Sequence, residues 1–520
     1  MRLPTLDSDS AVSLYRQLYE ELRRDLLSGS IPAGMRLPSK RTLSSLLGIS
    51  VNTVDAAYQQ LVSEGYLEAH AKSGYFACDL GTHASLSVTS IDEAAAGGEA
   101  GQYSSKQQLP LPVSEDSPGI TDRAAPEMID FSPNGVDLSA LPLSTFKKAI
   151  RDVLEEEGVN AFRSCDSQGA ESLREALCRY VRESRGLACD PGQIIIGAGT
   201  DYILQLLVQI MRSVHEIWAV AMENPVYNKA YQIFTGLQVP VELIPLDKYG
   251  IHMGRLASSS ADLVYTTPSH QFPLGIIMPV SRRTELLSWA AGAPHRYIIE
   301  DDYDSEFRYA GRPIPAISGM DANSKVIYLG TFSKSIAPSI RISYLVVPPA
   351  LLKAFKKNLS YFNTTVTHPE QLILARFIAC GDFERHINHM RTLYRRKRDH
   401  FVQALSPYMD KLVISGTDAG LHLLCHVKNG MSEDQLVRTA EIAGAKVYGI
   451  SSYYLMDRAP AAGSTEAAKA AVADTSTDAA EAVAAAGEDV PKSTVLLGYA
   501  GLTDEGIVRG VAALAGAWVL

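Results

Sequence analysis

Leucines at Leu14, Leu18, Leu22 and Leu26 recur every four residues, a spacing that predicts an amphipathic helix. Gly29 and Pro32 stop it. RLPSKRTLSSLLG (36–48) predicts a short second helix with Ser39 as its N-cap. ISVNTVDAAYQQLVSEG (49–65) predicts a third, capped by Ser50 and ended by Gly65. GYLEAHAKSGYFAC then alternates and turns at Lys72-Ser73-Gly74, the pattern of a hairpin. Helix, helix, turn, helix and hairpin over residues 1–80 make a winged helix-turn-helix.

From about residue 129 the period changes. Short apolar runs (IIIGAG, IWAVAMEN, DLVYTTP, RYIIEDDY, KVIYLGTFSK, RISYLVV) alternate with helical stretches. That alternation predicts an α/β domain over 129–520 with a mostly parallel sheet. Residues 81–128 are rich in Ser, Ala, Gly, Pro and acid and read as a flexible linker. Such a coil spans about 35–40 Å, comparable to the ~34 Å between DNA half-sites one helical turn apart. Residues 459–490 interrupt the α/β pattern: 14 of 32 are alanine with no apolar face, so an exposed, disordered or weakly helical insertion is expected.

Composition narrows the class. The chain has 520 residues, 46% hydrophobic and 20% charged, ordinary for a globular protein. No apolar run reaches the ~18 residues of a membrane span, and the first residues, MRLPTLDSDS, lack a signal-peptide core, so a cytoplasmic protein is expected. Six scattered cysteines without a CxxC pair argue against a zinc site or a disulfide framework, and no metal is expected. The net charge of −10 argues against nucleic-acid binding until its distribution is seen. The linker and the insertion each carry −5, which leaves the folded parts near neutral.

The candidate chemistry lies at strand ends, where open α/β sheets bind ligands. GAGTDYILQLL (197–207) is a strand, a small-residue turn and a helix start, whose free N–H groups can hold an anion. RYIIEDDYDSEF (296–307) ends a strand in acids, with Asp301 and Tyr303 two apart on one face; alone it also reads as a solvated acidic loop. In YLGTFSKSIAPSIRISY (328–344), Lys334 sits among small and apolar residues, with Thr331 and Ser333 before it and Arg341 after. A desolvated lysine is costly unless used, and Schiff-base chemistry is one use. A phosphate cradle, a buried acid and an amine are the parts of a pyridoxal phosphate site.

These stretches carry a family resemblance. LYRQLYEELRRDLLSGSIPAGMRLPSKRTLSSLLGISVNTVDAAYQQLVSEGYL resembles the GntR signature. DFSPNGVDLSALP, GAGTDYILQLL, ENPVYNKA, TPSHQFPLG, IEDDYDSEF, TFSKSIAPSIRISYLVVP and AGLHLL occur in the order found in MocR-type regulators, which join a winged helix-turn-helix to a fold-type I aminotransferase-like domain. The resemblance implies pyridoxal 5'-phosphate held as an aldimine on Lys334, with Asp301 on the pyridine nitrogen and Tyr303 on the ring hydroxyl. It implies Tyr227 stacked on the ring and Gly199, Thr200, Thr331, Ser333 and Arg341 around the phosphate. Gly135 and Lys229 fall at its effector positions.

It further implies a homodimer on a double-stranded DNA operator. Base contacts are expected from Val51, Asn52 and Thr53 and backbone or groove contacts from Arg36, Ser39, Lys40, Arg41 and Lys72. Departures bear on what is sensed. The arginine that grips a carboxylate in aminotransferases is Leu496 here, and the one after the stacking tyrosine is Lys229. Both argue against ordinary amino-acid transamination. The expectation is a regulator that senses an amine, an amino compound or pyridoxal phosphate itself, the alternative being a working aminotransferase with an accessory DNA-binding domain.

Overall fold

The computed structural model describes residues 6, 13–70, 74–78, 128–215, 218–309, 315–455 and 493–520. Lys72, the insertion at 459–490 and the linker up to residue 127 lie outside the described residues.

Helix α1 (Leu14–Leu27) buries Leu18, Leu22 and Leu26, as its period requires. Burial of each is worth about 1.5–3 kcal/mol. Helix α2 (Lys40–Leu47) is capped by Ser39, which accepts from Thr42 N, and α3 (Val51–Ser63) by Ser50, which accepts from Thr53 N. Strands β1 (Leu67–His70) and β2 (Gly74–Ala77) pair antiparallel as the wing, and Arg36 bridges to Phe76. Leu18, Leu22, Leu43, Val54, Tyr58 and Leu61 form the core of this unit. That core does not end at the unit's border but continues onto Val280 and Met320 of the next domain.

The second domain is built on an eight-stranded sheet. In spatial order its strands are Ile194–Gly197, Ser343–Val346, Val326–Thr331, Tyr297–Asp302, Leu263–Thr266, Val220–Asn224, Val241–Asp247 and Gly250–Ile251. The run from Val326–Thr331 to Val241–Asp247 is parallel, while Ser343–Val346 and Gly250–Ile251 are antiparallel to their neighbours. Helix Gly199–Val214 packs Ile203, Leu204, Leu207 and Met211 against this sheet's core. All six apolar runs singled out in the sequence are strands here. VELIPLD was not singled out, because as a partly exposed strand it lacks a continuous apolar run.

The expectation of one mostly parallel unit over 129–520 is incomplete. A separate antiparallel sheet joins Leu412–Ser415, His422–Val427, Thr494–Gly498 and Tyr448–Gly449, and Ile129–Asp130 pairs with Ala445–Lys446. Its central pair is separated by more than sixty residues of chain, so no hairpin signal marks it.

Candidate functional site

The strand ends Gly197, Thr266, Asp302 and Thr331 face one edge of the large sheet. There a cavity of about 110 Å³ is lined by Thr200, Tyr227, Lys229, Asp301, Tyr303, Thr331, Ser333, Lys334 and Arg341. Residues distant in the chain are gathered there because parallel strands all end at the same edge.

Lys334 follows its strand by three residues. Its Nζ donates to Asn134 Oδ1 at 2.9 Å and to Pro133 O at 3.2 Å. Loss of water around the amine lowers its pKa from 10.5 to about 8, with Asp304 acting against the shift. Alternation along Tyr297–Asp302 separates the acids. Asp301 turns to the cavity, whereas Glu300 accepts from Ile317 N (2.7 Å) and Ser318 N (2.9 Å). Asp302 pairs with buried Arg185 at 2.6 Å and accepts from Tyr328. Glu300 and Asp302 are therefore structural carboxylates.

One Asp301 oxygen accepts from the Tyr265 hydroxyl, and the other, Oδ1, is buried without a hydrogen-bond partner among the described residues. Burial raises its pKa to about 7; the Tyr265 bond opposes this, and Asp302 and Asp304 add to it. Tyr303 lines the cavity, but its hydroxyl is already engaged, donating to His270 O at 3.0 Å, so the expected bond to a ring hydroxyl has to compete with that contact.

Gly199 and Thr200 begin the helix Gly199–Val214, whose first N–H groups lack intrahelical partners. Gly199 is favoured by its left-handed backbone (φ +80), and a Cβ there would also press on the movable Arg341 guanidinium, 2.6 Å from Cζ. Arg341 itself adopts a left-handed backbone (φ +45) and pairs with Asp201 at 2.9 Å. Thr331 Oγ1 donates to Ser333 Oγ at 3.2 Å and accepts from Ser343 Oγ at 2.9 Å. Gly135 does not line the cavity; it packs on the backbone of Gly501 beside Asn134. Tyr265, Asn134, Asp201, Thr267 and Phe272 belong to the site and were not singled out in the sequence. Asn134 lies within the quoted DFSPNGVDLSALP stretch, the one signal that pointed to it.

The residues suit pyridoxal phosphate. The partnerless Asp301 Oδ1 matches a protonated ring nitrogen, and the helix start with Arg341 matches a phosphate. Leu496 is fully buried among Phe272, Leu424 and Ile450.

In the N-terminal unit, Val51 and Asn52 are exposed at the start of α3, with Thr53 partly covered by its bond to Ser50. Arg36 and Arg41 are exposed, while Lys40 pairs with Asp55 at 2.7 Å and sits over Tyr75. Among the described residues no group of His, Cys, Asp or Glu can hold a metal ion, and no helix is long and apolar enough to cross a membrane.

Residues 14–76 match the bacterial regulatory proteins of the gntR family, and residues 126–453 match aminotransferase class I and II. The chain is 37% identical over 516 residues to the HTH-type transcriptional regulator YhdI of Bacillus subtilis, covering 99% of this chain and 98% of that one. It is 33% identical over 455 residues to the MocR protein of Rhizobium meliloti, covering 86% and 89%. It is 30% identical over 451 residues to the pyridoxine biosynthesis regulator PdxR of Corynebacterium glutamicum, covering 86% and 90%. Among solved structures, the multiple substrate aminotransferase of Thermococcus profundus superposes at a TM-score of 0.62 with 25% identity, over 76% of this chain and 92% of that one. The chain thus belongs to the MocR-type transcription regulators, a GntR-type winged helix-turn-helix fused to an aminotransferase class I and II domain.

Proposed function

We propose that this regulator binds pyridoxal 5'-phosphate through Lys334 and alters its hold on a DNA operator when an amine, an amino compound or pyridoxal phosphate itself fills the site. The observation carrying the cofactor half is the buried Asp301 Oδ1, which lacks a partner in the same cavity as a desolvated lysine. Bound pyridoxal phosphate supplies an electrophilic carbonyl carbon for amines. Lys334 would hold that carbon, Asp301 the ring nitrogen's proton, and Gly199, Thr200, Ser333 and Arg341 the phosphate. Asn134 and Pro133 orient the lysine amine. An amine effector would compete with Lys334 Nζ for the same carbon.

The test is the visible spectrum of the full chain with pyridoxal phosphate, against Lys334→Ala. A band in the wild type alone supports the reading; its absence from the folded wild type overturns it. Operator binding with and without the cofactor then tests control, and equal affinity in both states counts against it.

The burial of Leu496 in an apolar cluster favours sensing of pyridoxal phosphate or a carboxylate-free amine over sustained amino-acid turnover. Steady turnover of an amino acid with a keto acid would instead support a working aminotransferase. A homodimer accounts for exposed apolar residues along Leu143–Glu157 and beyond it: Leu143, Ile150, Leu154, Val159 at 80% and Phe162 at 71% exposure. Two recognition helices then meet two half-sites. Such a regulator acts in the bacterial cytoplasm, where its DNA is.

A further inference from the structure

The proposed cofactor site leaves two of the quoted motifs without a role. SHQF and DSEF meet in a buried layer between the Lys334 cavity and the winged-helix domain. His270 Nδ1 donates to Asp304 at 2.9 Å, and Tyr303 donates to the His270 carbonyl at 3.0 Å. Ser269 accepts from Arg185 at 2.7 Å. Ser269, His270, Asp304, Ser305 and Arg308 line a space of about 10 Å³, room for about one water molecule. His270 Nε2 is buried there without a partner among the described residues.

The layer has two sides. On one, Tyr303 lines the Lys334 cavity, and the Asp304 charge favours protonation of Lys334. On the other, burial lowers the Arg308 pKa, and the fields of Glu64 and Asp418 oppose that shift. Glu64 belongs to the winged-helix domain and is buried, which raises its pKa; the bond it accepts from Tyr19 at 2.6 Å and the Arg23 and Arg283 charges oppose that rise. Arg283 is fixed in turn by three backbone carbonyls, Met278 (2.9 Å), Pro315 (2.6 Å) and Pro268 (3.1 Å).

The seating itself is tight. Val280 N donates to Glu64 O at 3.1 Å, and a Cβ on Gly65 would lie 2.8 Å from Pro279 Cβ. This contact uses Glu64 and Gly65, which close the C-terminal end of α3, whereas Val51 and Asn52 stand exposed at its start. Thirteen residues at 1.5 Å each separate the two ends by about 18 Å. Seating therefore does not hide the DNA-facing end; it sets that end's direction.

We propose that the His270–Asp304–Arg308 layer transmits filling of the Lys334 cavity to the seating of the winged-helix domain at Glu64. The inference rests on the cofactor reading above. Tyr303 is tied to His270 and His270 to Asp304, so displacement of the ring in the cavity moves a buried carboxylate. Asp304 and Arg308 line the same small cavity, so a shift of that carboxylate changes the field at the guanidinium. Arg308 also lies in the field of Glu64, the carboxylate beside which the DNA-binding domain sits, and a packed layer of this kind switches between arrangements rather than deforming smoothly.

Hydrogen exchange of the full chain, with and without pyridoxal phosphate, tests this, with the visible band read on the same samples. In the wild type the cofactor is expected to change exchange of the amides at 62–67 and 280–287 by about 5-fold or more, the low end of ordinary coupling. Arg308→Gln is expected to keep the band and lose that change, and Glu64→Gln to do the same. A wild type with the band and unchanged exchange overturns the proposal, as does a response that survives in both variants. Absence of the band overturns the cofactor reading together with it, so the two failures are distinguishable. If one variant fails to fold, the other decides.

Discussion

Asp301 holds one oxygen on Tyr265 and turns the other, partnerless among the described residues, to the cavity, while Glu300 is engaged with backbone amides and one Asp302 oxygen pairs with Arg185 away from the cavity. An Asp301→Asn variant keeps the shape and loses the charge. A charge-assisted hydrogen bond is worth about 1.5–3 kcal/mol, so pyridoxal phosphate is expected to bind about 10- to 150-fold more weakly, read by spectral titration. Lys334 makes a pH prediction. Its pKa is lowered to about 8, so below that pH the amine is protonated and cannot attack a carbonyl, and above it the neutral nucleophile predominates. The rate of band formation is expected to rise with pH and level off just above 8. A rise continuing through pH 10 would show an ordinary solvated lysine. At this scale the motifs identified Lys334, Asp301 and Arg341, but not Tyr265 or Asn134, whose roles exist only because distant strand ends and a loop meet them.

Helix α3 has an exposed start, the end expected to read DNA, and a seated end. Asn52→Ala removes a side chain from the reading end and is expected to cost operator affinity about 1–3 kcal/mol without changing the cofactor spectrum, measured by fluorescence anisotropy. Gly65→Ala acts at the other end. It forces a left-handed residue to carry a Cβ into Pro279, so the N-terminal domain is expected to be released and proteolysed faster, with the isolated domain's own fold retained. The elements themselves were legible. Four-residue leucine spacing, Ser39 and Ser50 caps and apolar runs ended by small residues are local signals, and each produced its element. The antiparallel sheet around His422–Val427 was not legible, because its central pairing with Thr494–Gly498 spans more than sixty residues of chain.

For the whole molecule, the exposed apolar side chains of Leu143–Glu157 and the turn after it predict the association state. Ile150→Asp with Leu154→Lys places charges in the middle of that stripe, and sedimentation is expected to shift the protein from dimer to monomer while secondary structure stays unchanged. A dimer that survives both substitutions would place the interface elsewhere. The contact between the two domains was likewise hidden from the sequence. Val280 and Met320 complete the core of a domain more than 200 residues away in the chain, and Glu64 finds its counter-charges in Arg283 and Arg308.

The sequence by itself determined the two-domain plan and the family and singled out candidate residues for the site, because periodicity, caps and motif composition are properties of neighbouring residues. Only the tertiary structure decided which acid of the Glu300-Asp301-Asp302 run faces the cavity, that Leu496 lies sealed in an apolar cluster, and that SHQF and DSEF meet in one buried layer. Those outcomes depend on burial and on pairing between distant segments, and neither quantity is defined until the chain has folded.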